Sequence, residues 1–193
     1  MKVAIVKYNA GNTQSVIFAL NRLGIEPMLT SDIDEIKAAD RVIFPGVGEA
    51  SSTMRHLKEL NLDALIPKLT QPVLGICLGM QLMCKFSEEG DTACMNIFDV
   101  DVKKFISPTL KVPHMGWNTL DMSENALNKN INDPHMYFVH SYYVPVMENT
   151  IAKTDYIVPF SASLQKNNFY AVQFHPEKSS KQGLEMIKSF IEL

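Results

Sequence analysis

Three short runs of β-forming residues, Val3–Val6, 41–44 and 73–76, are each closed by a turn rich in Gly, Asn or Pro and followed by a stretch of helical period. An almost uninterrupted apolar run is the mark of a strand buried on both faces, and strands alternating with helices require right-handed crossovers onto a parallel sheet. These runs therefore restrict the chain to an α/β fold: a doubly wound, mixed but mostly parallel sheet with helices on both faces. In such folds ligands bind beyond the carboxyl ends of the strands.

The first strand ends in Asn9-Ala10-Gly11-Asn12, where Asn12 can cap a helix carrying Val16, Ile17, Leu20 and Leu23 on one stripe, with Gly24 as its stop. A strand over 27–30 and a short helix over 32–39 follow. The third strand closes in Pro45-Gly46-Val47-Gly48 before a helix over about 49–60, and the fourth runs into Cys77 and a helix expected to reach about Phe86. After Gly90 the period drops to two over 99–105 and 119–122, which suggests extended, partly antiparallel structure. Strands near 137–144, 161–165 and 170–174 lead to a closing helix with Leu184, Ile187, Phe190 and Ile191 on one face. With no internal repeat, low-complexity stretch or linker, residues 1–193 read as a single domain.

At 193 residues the chain can bury a core without disulfide staples. Its 18 basic and 21 acidic side chains are dispersed, so nucleic acid is not an expected partner. Cys77, Cys84 and Cys94 show no CxxC spacing, which argues against a disulfide framework or a zinc site and for a reducing, cytoplasmic setting. The four apolar residues before Lys7 are too few for a secretory leader, and nothing approaches the ~20 a membrane span needs.

The strongest chemical signal is Gly75-Ile76-Cys77-Leu78-Gly79, a G-x-C-x-G sequence between an expected strand and an expected helix. This is a nucleophile elbow built on cysteine: the turn lifts the thiol clear of the sheet, and the helix N-terminus stabilises a thiolate. The N–H of Leu78 then points toward an oxyanion. A thiol nucleophile needs a base and a group to orient it. Among five histidines, only His175 carries a carboxylate two residues on, in Phe174-His175-Pro176-Glu177; extended backbone puts both side chains on one side, and Pro176 enforces that geometry. Pro45-Gly46-Val47-Gly48 reads either as the second half of an oxyanion hole or as a plain strand-to-helix turn. Nothing matches G-x-G-x-x-G, so a dinucleotide is not expected, and no cofactor or metal is called for.

Together, Gly75-Ile76-Cys77-Leu78-Gly79-Met80-Gln81, Pro45-Gly46-Val47-Gly48 and Phe174-His175-Pro176-Glu177 resemble the class I glutamine amidotransferases over essentially the whole chain. The resemblance implies that Cys77 attacks the side-chain amide of L-glutamine, that His175 moves the proton and that Glu177 holds the imidazole. It further implies an oxyanion hole from the N–H groups of Leu78 and Val47, the latter after its loop turns, and a glutamine pocket lined by Gly48, Gln81, Glu89, Ser141 and Tyr142. Tyr8-Asn9-Ala10-Gly11-Asn12, Pro113-His114-Met115-Gly116-Trp117-Asn118 and Tyr137-Phe138-Val139-His140-Ser141-Tyr142-Tyr143 resemble, more narrowly, members that pass ammonia to a (β/α)₈ barrel synthase. Such a barrel takes about 250 residues, so here it would be a separate polypeptide forming a heterodimer. Asn12, Trp117, Tyr137 and Lys178 are the residues this resemblance places at the shared surface. Lys7 departs from the acidic residue usual before Tyr8. An alternative acceptor, an amidating enzyme of surface-sugar synthesis, stays open at this stage.

Overall fold

The computed structural model describes residues 1–8, 13–122 and 124–193. Four parallel strands, β1 (Val3–Val6), β2 (Met28–Thr30), β3 (Arg41–Gly46) and β4 (Val73–Cys77), lie in the order β2-β1-β3-β4. They are joined by α1 (Thr13–Arg22), α2 (Ile33–Lys37), α3 (Ala50–Glu59) and α4 (Leu62–Leu65). Then come α5 (Leu78–Met83), β5 (Cys84–Ser87), β6 (Thr92–Ala93), β7 (Phe98–Lys104), β8 (His114–Thr119), β9 (Asp121–Met122), β10 (His135–His140) and β11 (Tyr142–Tyr143). The chain finishes with β12 (Thr150–Tyr156), β13 (Val158–Lys166), β14 (Phe169–Val172) and α6 (Ser180–Ile191). In the main sheet β14 pairs parallel with β4, and β13, β12 and β9 continue antiparallel from it. This is the mixed, mostly parallel doubly wound sheet expected.

Both faces of the parallel strands are buried, and successive residues serve opposite cores. Ala4, Val6, Val42, Phe44 and Val73 pack with α2 to α5, whereas Val3, Ile5, Ile43, Leu74 and Ile76 pack with α1 and α6. Local signals set the helix ends. Asp32 caps α2 by accepting from the N–H groups of Asp34 and Glu35, Glu49 caps α3 in the same way, and Gly24 takes φ +75° just past α1. The proposed cap Asn12, with the turn Asn9-Ala10-Gly11-Asn12, lies outside the described residues.

The helix after Cys77 is shorter than expected: it stops at Met83, and Cys84–Ser87 form β5. Its last carbonyls are taken by a later segment. Met95 donates to Leu82 O, Ile97 to Met83 O and Asn96 to Cys84 O at 2.8–2.9 Å, which satisfies the helix end and leaves the next residues to pair as a strand. The β5-β7 pair belongs to a separate four-stranded sheet, β11-β7-β5-β6, while β8 and β10 form a two-stranded ribbon at the carboxyl ends of the parallel strands.

Candidate active site

Cys77 stands at the junction of β4 and α5 with φ +54° and ψ −109°, a conformation that costs a residue with a Cβ about 1–3 kcal/mol. The flanking glycines serve a need other than turning. A Cβ on Gly79 would sit 2.0 Å from the Phe44 carbonyl oxygen, and one on Gly75 would meet Met83 Sδ at 2.8 Å and the Gly79 backbone at 3.1 Å. Both positions are bare so that α5 can lie directly on β3 and β4; the thiol's own residue carries the strain.

His175 follows β14 in extended conformation (φ −100°, ψ 94°), and Pro176 opens a 3₁₀ turn that brings Glu177 beneath it. The imidazole Nδ1 donates to Glu177 Oε1 at 2.8 Å, with both side chains almost wholly buried. The backbone of His175 is strapped to β10: its N–H donates to Tyr137 O at 2.9 Å, while Ser179 Oγ donates to His175 O and accepts from Tyr137 N–H. Nε2 has no hydrogen-bond partner within range among the described residues, and Cys77 is the neighbour on that side whose influence favours its protonation. Burial alone would lower the imidazole's pKa. Hydrogen bonding and charge from Cys77 and Glu177 outweigh it and raise His175 to about 10. The arrangement favours an imidazolium beside Cys77.

A cavity of about 310 Å³ opens over this pair. Val47, Gly48, Leu78, Gln81, Glu89, Ser141 and Tyr142, all expected from the sequence, line it together with Cys77 and His175, and Glu177 stands behind His175. Glu89 accepts from Ala50 N–H at 2.9 Å; burial, reinforced by the charge of Glu49, raises its pKa, so the carboxylate gains from a cation placed against it. An α-ammonium fits that description. Gln81 donates through Nε2 to Tyr142 O at 3.0 Å and to Gln173 Oε1 at 2.9 Å, leaving its Oε1 as the atom that can accept from a ligand.

Pro113, Val139 and His140 also line the cavity, and sequence reasoning did not single them out. His140 is the visible miss, since it adjoins Ser141. Its Nδ1 donates to Tyr142 O at 2.7 Å, so its Nε2 accepts from His114 Nδ1 at 3.0 Å. Burial lowers the pKa of His114 to about 4 and that of His140 to about 3, with the charge of His175 contributing at His140. Both rings are neutral beside the imidazolium.

The chain matches the family model described as glutamine amidotransferase class-I over residues 4–193. The chain belongs to the class I glutamine amidotransferases. It is 62% identical, over the full length of both chains, to a Bacteroides fragilis protein named imidazole glycerol phosphate synthase subunit HisH. It is 46% identical to the protein of that name from Idiomarina loihiensis, across 100% of this chain and 98% of the relative. A solved glutamine amidotransferase structure superposes with a TM-score of 0.77 at 17% identity, covering 100% of this chain and 98% of the other, which establishes the shared fold.

The amidotransferase cavity borders an exposed apolar face. Trp117, 54% exposed, lies opposite Tyr137 in the β8-β10 ribbon with the rings edge-to-face at 6.0 Å, and Met115 beside it is 63% exposed. Trp117 is therefore no core residue. Lys178 is exposed in the turn directly after Glu177, near Arg22 and Lys181. Asn12 lies outside the described residues. Among those described, no group of three or more His, Cys, Asp and Glu is arranged to hold a metal, and no helix is long and apolar enough to cross a membrane.

Proposed function

We propose that this chain is the glutaminase subunit of an imidazole glycerol phosphate synthase, acting as a single domain. The observation that carries the reading is the buried His175–Glu177 pair, 2.8 Å apart and set under a strained Cys77 in a cavity that offers the Glu89 carboxylate. Full-length identity of 62% to a relative bearing the synthase subunit name supports the assignment within the family.

In this mechanism glutamine places its α-ammonium against Glu89 and Gln81 Oε1, with Gly48, Ser141 and Tyr142 closing the pocket. The Cys77 thiolate attacks the amide carbon, and the N–H groups of Leu78 and, after its loop turns, Val47 stabilise the tetrahedral oxyanion. The C–N bond breaks as His175 hands its proton to the leaving nitrogen, which departs as ammonia and leaves a γ-glutamyl thioester on Cys77. Water, deprotonated by His175, attacks the thioester, releasing glutamate and restoring the thiol. Ammonia passes to a separate (β/α)₈ barrel subunit docked in a cytoplasmic heterodimer on the face of Trp117, Tyr137, Lys178 and Asn12. The barrel uses it to make imidazole glycerol phosphate and aminoimidazole carboxamide ribonucleotide in histidine biosynthesis.

The test is glutamate release by the purified chain, alone and with the barrel subunit and its ribonucleotide ligand, using Cys77→Ala as the blank. The reading predicts strong activation by the liganded pair and none in the blank. Labelling of Cys77 by a glutamine analogue without activation by that barrel would assign the ammonia to another acceptor, such as a surface-sugar amidating enzyme.

A further inference from the structure

The side chain of Gln173 is fully buried and lies next to the reacting sulfur: its Nε2 is 3.7 Å from Cys77 Sγ. Gln173 follows directly on β14, two residues before His175, and its N–H donates to Ala162 O. Which end of its amide meets the sulfur follows from a chain of necessities. The carbonyl of Tyr142 can only accept, so the Gln81 atom facing it must be the amide nitrogen. That same nitrogen faces Gln173, whose near atom must therefore be Oε1. The remaining end of Gln173, the NH₂ group, is the one turned to Cys77.

We propose that Gln173 is a positioning residue for the nucleophile: its amide N–H donates to the Cys77 thiolate, and Gln81, in the glutamine pocket, fixes the amide in the donating orientation. The proposal rests on Cys77 being the nucleophile. A thiolate in a buried site is stabilised by every hydrogen bond aimed at it, and His175 supplies only one direction of support. Gln173 adds a neutral donor from the strand side, opposite the Val139 carbonyl of β10, which lies 3.9 Å from the sulfur and cannot donate to it. The titratable groups around the thiol are His175 with Glu177 behind it, His140, Glu89 and Tyr142 in the wall of the same cavity, and the buried Tyr8 hydroxyl just past β1, whose pKa is raised by burial and by the charge of Cys77. Beyond His175, the nearest of these cannot replace the amide: a carboxylate has no N–H to give, His140 commits its N–H to the Tyr142 carbonyl, and Tyr8 donates its hydroxyl to the Pro45 carbonyl.

The test is the rate of Cys77 alkylation by iodoacetamide as a function of pH, read by peptide mass spectrometry on the full chain without glutamine. Burial raises the pKa of Cys84 and Cys94, the latter to about 12, so neither competes near neutral pH. Gln173→Leu is expected to move the midpoint of the profile upward by about half a pH unit, lowering the rate about 3-fold on the acid side of the midpoint. Gln173→Glu keeps the acceptor for Gln81 but sets a carboxylate beside the sulfur, so it is expected to move the midpoint further up; it serves where the leucine variant does not fold. Superimposable profiles for wild type and a folded Gln173 variant would overturn the proposal. His175→Asn separates the two ideas: a profile insensitive to His175 would sink the nucleophile assignment itself, whereas sensitivity to His175 with none to Gln173 would sink this proposal alone.

Discussion

Gly79 lies so close to Phe44 that a Cβ on the glycine would sit 2.0 Å from the Phe44 carbonyl oxygen. The contact is between backbones, and no rotamer can relieve it. Gly79→Ala is therefore expected to cost about 3 kcal/mol or more and to displace Cys77 with the start of α5. Gly24→Ala is the contrast: nothing lies within 4 Å of the added Cβ, and φ of +75° alone sets a cost of about 1 kcal/mol. Thermal unfolding of the two variants, at about 2–4 °C per kcal/mol, distinguishes packing from backbone strain.

The carboxylate of Glu177 supports His175 by hydrogen bond and by charge, so Glu177→Ala is expected to lower kcat roughly 10- to 100-fold, the equivalent of about 1.5–3 kcal/mol for a charged hydrogen bond. The imidazole's titration reports the same loss. Its folded pKa of about 10 exceeds the unfolded value of about 6.5, so the stability His175 contributes is complete below about 6.5 and is lost as pH rises through about 10. An NMR titration of the His175 ring should show it protonated at pH 8, with the midpoint falling in Glu177→Ala and in Cys77→Ala. An unchanged midpoint in both would remove the basis for the ion pair.

The neutral pair His114–His140 acts with the opposite sign. Folded values of about 4 and about 3 lie below the unfolded value of about 6.5, so the unfolded chain binds the extra protons and stability falls as pH drops from about 6.5 toward 4. Thermal unfolding at pH 7, 5.5 and 4 should trace this decline, and His114→Gln, which leaves one titrating ring, should flatten it. A variant as acid-sensitive as wild type would place the sensitivity elsewhere.

Trp117 is more than half exposed, so Trp117→Ala should leave the isolated chain within about 0.5 kcal/mol of wild type. If the barrel docks on this face, the same change should weaken the complex by about 2 kcal/mol, near 30-fold in Kd. Titration calorimetry with the barrel subunit measures it, and undiminished affinity would move the docking face away from β8.

The parallel half of the sheet was legible because its strands are nearly continuous apolar runs, a pattern only a doubly buried strand needs. Cys77, His175 and Glu177 were legible as a group because a strand-to-helix turn at the cysteine and the His-Pro-Glu spacing each show in a few consecutive residues, whereas the packing against Phe44 that fixes Gly79 does not. What escaped depends on distant partners. Leu82, Met83, Cys84 and Phe86 keep an apolar rhythm that suits a helix, and only the N–H groups of Met95, Asn96 and Ile97 end it. The polar run of β12 becomes a strand by pairing with β13 through register shifts near Ala152. Gln173 looks like any strand glutamine until Gln81, far back in the chain, meets it at 2.9 Å.

Tyr137 serves two masters with different parts of itself. Its ring is offered to the surface with Trp117, while its backbone N–H and C=O hold Ser179 and His175. Main-chain bonds are indifferent to which side chain hangs from them. The outward face of β10 is therefore free to drift in evolution, or to be redesigned for a new companion, without moving the His175 imidazole behind it.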